Sequence, residues 1–290
     1  MQKQSDFLNP EKTQPIDYLL FGHLTADLTP DGIHMGGTVA FSGLTAHHLG
    51  FSVGIVTSFA EDIDTSAINH LWRKNKKSEQ TTTFKNISDG VDRTQYLYHV
   101  ASPLTQNDLP HFPTPPKIVH LGPVANEVDP EIISAYPNSL KCMTPQGWFR
   151  RRDHKDRVEL TSWENAEKHL SLADAAVISV EDVQKDETTI SKLAASIPVF
   201  AVTENYRGAR VYWHNDARFI NAPEVKYVDD TGAGDIFAAA FFCRYHSTKD
   251  PWEAGRFAVK LASWSVQRAY LESIPTLEEI NRAKSEVMGY

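Results

Sequence analysis

Short runs rich in valine and isoleucine alternate with helix-like stretches along most of this chain, and that alternation constrains its fold more than any other feature. Residues 16–21, 53–59, 118–121, 175–180 and 199–203 are compact apolar runs of strand length, the first ending at Gly22. Residues 39–49, 163–170 and 187–195 read as helices. Strands separated by helices return to one sheet in the same direction, so a mostly parallel sheet is expected. Ligands of such sheets gather beyond the carboxyl ends of the strands, where Thr203 and Asp182 would lie. Residues 81–104 break the pattern. There polar and apolar residues alternate through Thr83, Phe84, Lys85 and again through Gln95, Tyr96, Leu97, Tyr98, around Asp89-Gly90, which predicts a hairpin with one exposed face and the place of a lid. The charged run Trp72–Lys77 is expected to be the solvated end of a helix. Residues 1–14 read as a loose tail and 15–290 as one domain.

The segment Val228-Asp229-Asp230-Thr231-Gly232-Ala233-Gly234-Asp235-Ile236-Phe237 joins a glycine turn to an acid as a long apolar helix begins. Small side chains leave the amides of Gly232, Ala233 and Gly234 open to close approach, and the helix dipole points the same way, so the turn is a cradle for an anion such as a phosphate. Asp235, at the rim, suits a general base that takes the proton of a hydroxyl attacking a terminal phosphoryl group. The same residues also suit a plain turn capped by an acid, and the segment by itself favours neither reading.

Composition narrows the alternatives. With 290 residues, a net charge of −8 and a pI near 5.8, the chain can bury an ample core but lacks the basic excess that a nucleic-acid surface needs. Cys142 and Cys243 are too few and too far apart for a disulfide framework or a zinc site, which suits a reducing cytoplasm. The longest strongly apolar run, residues 236–243, is far short of a membrane span, and residues 1–14 have no apolar core of the kind that targets a chain to secretion. The 12 histidines show no His-x-x-x-His pair beside an acid. No Gly-x-x-x-x-Gly-Lys-Ser/Thr loop occurs, nor a Gly-x-Gly-x-x-Gly after the first strand, so phosphate handling falls to the 232–234 turn.

Residues 229–235 resemble the C-terminal signature of the PfkB, or ribokinase-like, carbohydrate kinases. Gly36-Gly37-Thr38-Val39-Ala40 with Ala46 and Leu49-Gly50 is similar to the paired-glycine segment of that family. Residues 203–208, 258–269 and 274–276 with Glu279 resemble its nucleotide loop, adenine-side helix and closing segment. The likeness runs over about residues 16–287. It implies a three-layer α/β fold with helices on both faces of the sheet and a small β lid near 24–36 and 80–104. It also implies ATP-dependent transfer of the γ-phosphoryl group to a hydroxyl of a small sugar or cyclic polyol, with magnesium. Asp235 would be the base and Gly232, Ala233 and Gly234 the anion hole. The donor would meet Thr203, Asn205, Gly208, Thr231, Val259, Ala262 and Ser263. Asn205 stands where the family has glycine, and Asn tolerates the left-handed backbone such a turn needs.

The resemblance assigns the acceptor to Asp27, Gly36 and Gly37. Phe41 or Ser42 replaces the sugar-contacting Asn of the family. Residues 144–150 look like the Asp-x-Gln-Gly-x-x-Arg segment of inositol-kinase-like members, with Thr144 in place of Asp, which offers Gln146 and Arg150 to hydroxyls or phosphate and favours an inositol-like acceptor. A surface basic loop continued by Arg151, Arg152 and Lys155 is the competing reading. The Asn-x-x-Glu metal motif of the family becomes Ser179-Val180-Glu181-Asp182, so Asp182, with Glu181 as the alternative, is the magnesium candidate, and an acidic helix cap is the other reading. Asp229 is the implied place of a monovalent cation. A homodimer paired through the lid is implied as well. A nucleoside kinase and a non-catalytic sugar-binding sensor are the rival functions.

Overall fold

The structure, a computed structural model, describes residues 15–88 and 93–288. The tail expected over 1–14 and the Asp89-Gly90 turn lie outside the described residues. In chain order the strands are β1 Tyr18–Phe21, β2 Thr25–Thr29, β3 Gly32–Gly36, β4 Val53–Phe59, β5 Trp72–Lys77, β6 Thr82–Ser88, β7 Arg93–His99, β8 Ile118–Leu121, β9 Leu140–Met143, β10 Arg150–Arg152, β11 Val158–Leu160, β12 Ala175–Ser179, β13 Val199–Thr203, β14 Gly208–Trp213 and β15 Asp216–Asn221. The helices are α1 Thr38–His48, α2 Ala166–Leu170, α3 Glu187–Ala195, α4 Ala233–Thr248, α5 Pro251–Ser265 and α6 Leu277–Met288.

Nine strands form one sheet in the order β15-β14-β13-β12-β9-β8-β1-β4-β5. Pairing from β5 to β13 is parallel, and β14 and β15 add an antiparallel edge. Alternate residues of each central strand face opposite layers: Tyr18 and Leu20 join one buried cluster with α1, α4, α5 and α6, whereas Leu19 and Phe21 join another with α2 and α3. With both faces covered, β1, β4 and β8 are buried along their whole length. Helix α4 is buried from Ile236 to Cys243 because its alanines let helix and sheet approach while its phenylalanines fill the space between. Among the described residues no helix is long and apolar enough to cross a membrane.

A second sheet, β3-β2-β6-β7, stands over the carboxyl ends of the large one and contains the hairpin read from the alternating residues. The β10–β11 hairpin meets its far edge, where Leu97 N–H donates to Asp156 O at 2.8 Å. Beneath it, Phe84, Leu97 and Val124 form a small apolar cluster.

Two expectations are corrected. Trp72–Lys77 is not a helix end but the edge strand β5, parallel to β4. Its lysines line the outer edge, and Lys76 pairs with Asp108 at 2.9 Å, which blunts an edge that would otherwise invite another strand. The helix read over 163–170 begins only at Ala166, because Asn165 adopts a left-handed conformation (φ 55°).

Candidate active site

Two helices start with their N-termini at one cavity. Gly37 precedes α1 with φ 88° and Gly232 precedes α4 with φ 79°, and neither helix start carries a side-chain cap. A Cβ on Gly37 would strike His23 O, and one on Gly232 would enter the Phe41 ring, so both turns require glycine for space as well as for backbone conformation. The two helix starts are tied together by Ser42 Oγ, which donates to Asp235 O at 2.9 Å.

The cavity between them, of about 820 Å³, is closed above by the lid residues Thr25, Asp27, Phe84, Asn86 and Gln95. Its floor holds Thr38, Thr144, Gln146, Arg150 and Asp235, and its far end holds Ser179, Glu181, Asp182, Thr203, Asn205, Asp230 and Thr231. The structure thus gathers into one space residues scattered from position 25 to 235. Gly234 borders the cavity and a Cβ there would meet nothing within 4 Å, so the space it leaves belongs to whatever occupies the cradle. Ala233 differs from the expectation: its amide already donates to Asp230 O at 3.1 Å, whereas the amides of Gly234 and Asp235 have no carbonyl four residues back inside the helix.

Asp235 sits at this N-terminus, where burial pushes its pKa up to about 6. The Thr38 side chain and the Arg150 guanidinium pull it down, while Asp182 and Asp27 push it up. The chemical consequence is a carboxylate ionised at neutral pH yet basic enough to accept a proton. Asp27 accepts from Thr25 Oγ1 at 3.0 Å, and a Cβ on Gly36 would overlap its carboxylate, so the paired glycines make room for this acid. Arg150, at the start of β10, is the shared counter-ion of Asp235 and Asp182. Gln146, in the short 3-10 turn Pro145–Phe149, hydrogen-bonds Asp182. The surface basic reading therefore holds for the continuation, Arg151, Arg152 and Lys155, which are exposed, and not for Gln146 and Arg150, which line the cavity.

The metal candidates differ in availability. Asp182 is buried and caps its own turn, its Oδ2 accepting from Ser179 N–H at 2.8 Å, and burial raises its pKa. Glu181 is exposed, 3.3 Å from Asn205 Nδ2 and 3.1 Å from Lys185 Nζ. Among the described residues no group of three or more His, Cys, Asp or Glu could hold a metal ion. One or two carboxylates facing an anion cradle still suit magnesium, which takes its remaining oxygens from phosphate and water. Asp229 serves the backbone instead, its Oδ1 accepting from Thr231 N–H and Oγ1 at 3.0 and 2.7 Å, and its Oδ2 from Tyr270 N–H at 3.2 Å. It braces the turn from below and does not line the cavity.

Of the residues expected to meet a donor, Thr203 ends β13 and Asn205 (φ 52°) turns the chain into β14, the left-handed residue the sequence anticipated. Gly208 (φ 121°) sits where a Cβ would strike Ile220 O, so it serves the hairpin. Val259 is corrected to a core position, 3% exposed, with Ala262 packed against the same cluster. Neither they nor Ser263 line the cavity. Phe41, 2% exposed, supports Gly232 from beneath. Sequence reasoning gave Thr38 no role, although its place directly after the paired glycines was a helix-start signal; it did not foresee the bond from Ser42 to Asp235, and it did not place Asn86 and Gln95 of the lid at the cavity.

Residues 165–277 match the family described as pfkB family carbohydrate kinase. A probable fructokinase-4 from Arabidopsis thaliana is 30% identical over 141 residues, covering 44% of this chain and 43% of that protein. A ribokinase from Staphylococcus aureus (strain COL) is 30% identical over 118 residues, covering 40% and 38%. The matched stretches thus span about four-tenths of the length of these curated relatives. A solved pyrophosphate-dependent kinase in the ribokinase family, complexed with a pyrophosphate analog and myo-inositol, superposes with a TM-score of 0.76 at 20% identity, covering 91% of this chain and 99% of that one.

Proposed function

We propose that this chain, whose residues 165–277 match the pfkB family of carbohydrate kinases, is a kinase of that kind and transfers a phosphoryl group from a di- or triphosphate donor to a hydroxyl of a small sugar or cyclic polyol. The observation that carries this reading is Asp235: a carboxylate with its pKa raised to about 6, at the open N-terminus of α4 and in one cavity with Arg150 and Asp27. Asp27, Gln146 and Arg150 hold the acceptor. Asp235 takes the hydroxyl proton as that oxygen bonds to phosphorus, and the bond from phosphorus to the donor's bridging oxygen breaks. The amides of Gly234 and Asp235 neutralise charge on the transferred group, and the lid excludes water that would otherwise compete. A magnesium ion held by Glu181, with Asp182 beside it, would offset the charge shared by the phosphates.

An inositol-like acceptor is favoured by Gln146 and Arg150, whose polar groups reach the cavity floor beside Asp182. ATP is the donor expected from the resemblance. Pyrophosphate is the second reading, and a specific observation favours it: Val259, Ala262 and Ser263, the residues assigned to adenine, lie outside the cavity, while the donor end around Thr203, Asn205 and Thr231 remains. Pairing of two copies through the lid belongs to the same proposal, supported by Ile33 and Ile87 left exposed on its strands. Phosphorus NMR with magnesium, offering ATP or pyrophosphate against myo-inositol, fructose, ribose and adenosine, tests donor and acceptor together. A phosphomonoester on a polyol or sugar supports the proposal, and phosphorylation of adenosine alone would replace it with a nucleoside kinase.

A further inference from the structure

Below the acceptor side of the cavity, three neighbouring strands contribute a row of polar groups that the proposed chemistry does not use. Tyr18 on β1, His120 on β8 and Thr144, one residue beyond β9, form a chain. The Tyr18 hydroxyl lies 2.9 Å from His120 Nδ1, and His120 Nε2 lies 2.9 Å from Thr144 Oγ1. Tyr18 and His120 are 0% exposed, enclosed by the edges of Phe51 and Phe242. Thr144, 8% exposed, is the member of the chain that borders the cavity.

The direction of these bonds follows from counting protons. Burial holds the imidazole neutral, with its pKa pulled down to about 3, so the ring has one N–H and one lone pair. The Tyr18 hydroxyl has no other hydrogen-bond partner among the described residues. Were the ring proton on Nδ1, it would donate to the Tyr18 oxygen and strand the Tyr18 proton in an apolar core. Tyr18 therefore donates to Nδ1, Nε2 carries the ring proton, and Nε2–H donates to Thr144 Oγ1. That bond occupies a lone pair of the threonine hydroxyl. Its own proton has no acceptor among the described residues, and the open side of Thr144 is the cavity.

We propose that Thr144 is a fixed hydrogen-bond donor to the acceptor molecule, its polarity set by Tyr18 through His120, so that the site selects an oxygen lone pair at this point and rejects an ammonium or a methyl group. The identity of the ligand rests on the phosphotransferase reading, whereas the direction of the hydrogen bonds does not. An Asp here, as the resemblance would have it, could only accept when ionised. Thr144 reverses that polarity and makes the position a determinant of which polyol is taken.

The test has two arms, both on the full chain. Long-range proton–nitrogen correlation on histidine-labelled protein, with the His120 ring assigned by its loss in His120→Asn and its shift in Tyr18→Phe, is expected to show the neutral Nε2–H tautomer unchanged from about pH 5.5 to 8.5. An Nδ1–H tautomer or an imidazolium would overturn the proposal. In the second arm, Thr144→Val is expected to raise the KM for the accepted polyol about tenfold with little change in kcat, and Thr144→Ser to stay near wild type. A Thr144→Val enzyme with unchanged KM would also overturn it. If myo-inositol, fructose and ribose all fail with the wild-type protein, the phosphotransferase reading falls with the ligand assignment, and the tautomer still decides the hydrogen-bond direction.

Discussion

Asp235 is under opposed pressures, and its two protonation states separate stability from activity. Its pKa rises from an ordinary 3.8 to about 6 because burial disfavours the charge. The folded state therefore holds this proton more tightly than the unfolded one. The associated stability is present below about pH 4 and is lost as pH rises through 6. As a base, Asp235 works only when ionised, so kcat/KM is expected to climb with unit slope up to about pH 6 and then level, and a profile flat from pH 5 to 8 would contradict its role. Asp235→Asn should remove the buried charge and raise the melting temperature at pH 7 by roughly 2–6 °C, about 2 kcal/mol, while activity collapses. Differential scanning calorimetry checks the first half. Asp235 and Gly232 were legible because an acid and a left-handed glycine fall within one short segment. The tie from Ser42 to Asp235 was not, since the partners lie 193 residues apart and no local pattern reports that pairing.

The turn before α4 depends on elements that meet it from both sides. Phe41 of α1 fills the space a side chain on Gly232 would need, so Gly232→Ala meets both a positive φ and a ring. It should cost about 1–3 kcal/mol and lower transfer at least tenfold, read from urea unfolding and initial rates. From below, Tyr270 N–H holds Asp229, and the loop carrying Tyr270 is held by Arg268, which donates to Glu272 O at 2.6 Å and pairs with Glu279 at 2.8 and 2.9 Å. Arg268→Met is expected to leave the carbonyls of Glu272 and Ser273 without this donor and Glu279 without its ion-pair partner, costing about 1–3 kcal/mol and raising the KM for the donor more than that for the acceptor. The closing segment was legible through its Thr276 and Glu279 pattern, which the structure shows as reciprocal side-chain bonds at the start of α6. β5 was misread because lysine-rich edge strands and solvated helix ends share a composition, and only pairing with β4 separates them.

At the scale of the molecule, the parallel order from β5 to β13 brings the tips of distant strands together, and the lid closes over them. The alternation of apolar runs was sufficient to read a mostly parallel sheet, though not its strand order or the strands β5 and β9, because parallel strands buried on both faces need long apolar runs and helical crossovers. It was not sufficient to read which face of α5 meets the sheet, so Val259 was assigned to a ligand when it belongs to the core. The antiparallel edge β14–β15 was missed for the related reason that exposed β15 has no apolar signature. The most direct measurement of the central claim is phosphorus NMR of wild-type and Asp235→Asn proteins with magnesium, myo-inositol, fructose and ribose, using ATP and pyrophosphate in turn. The account predicts a phosphomonoester from at least one pair and a loss of about 10²–10⁴ in rate in the variant. An unchanged rate in Asp235→Asn, or no transfer from either donor by a protein that binds the polyol, would contradict it.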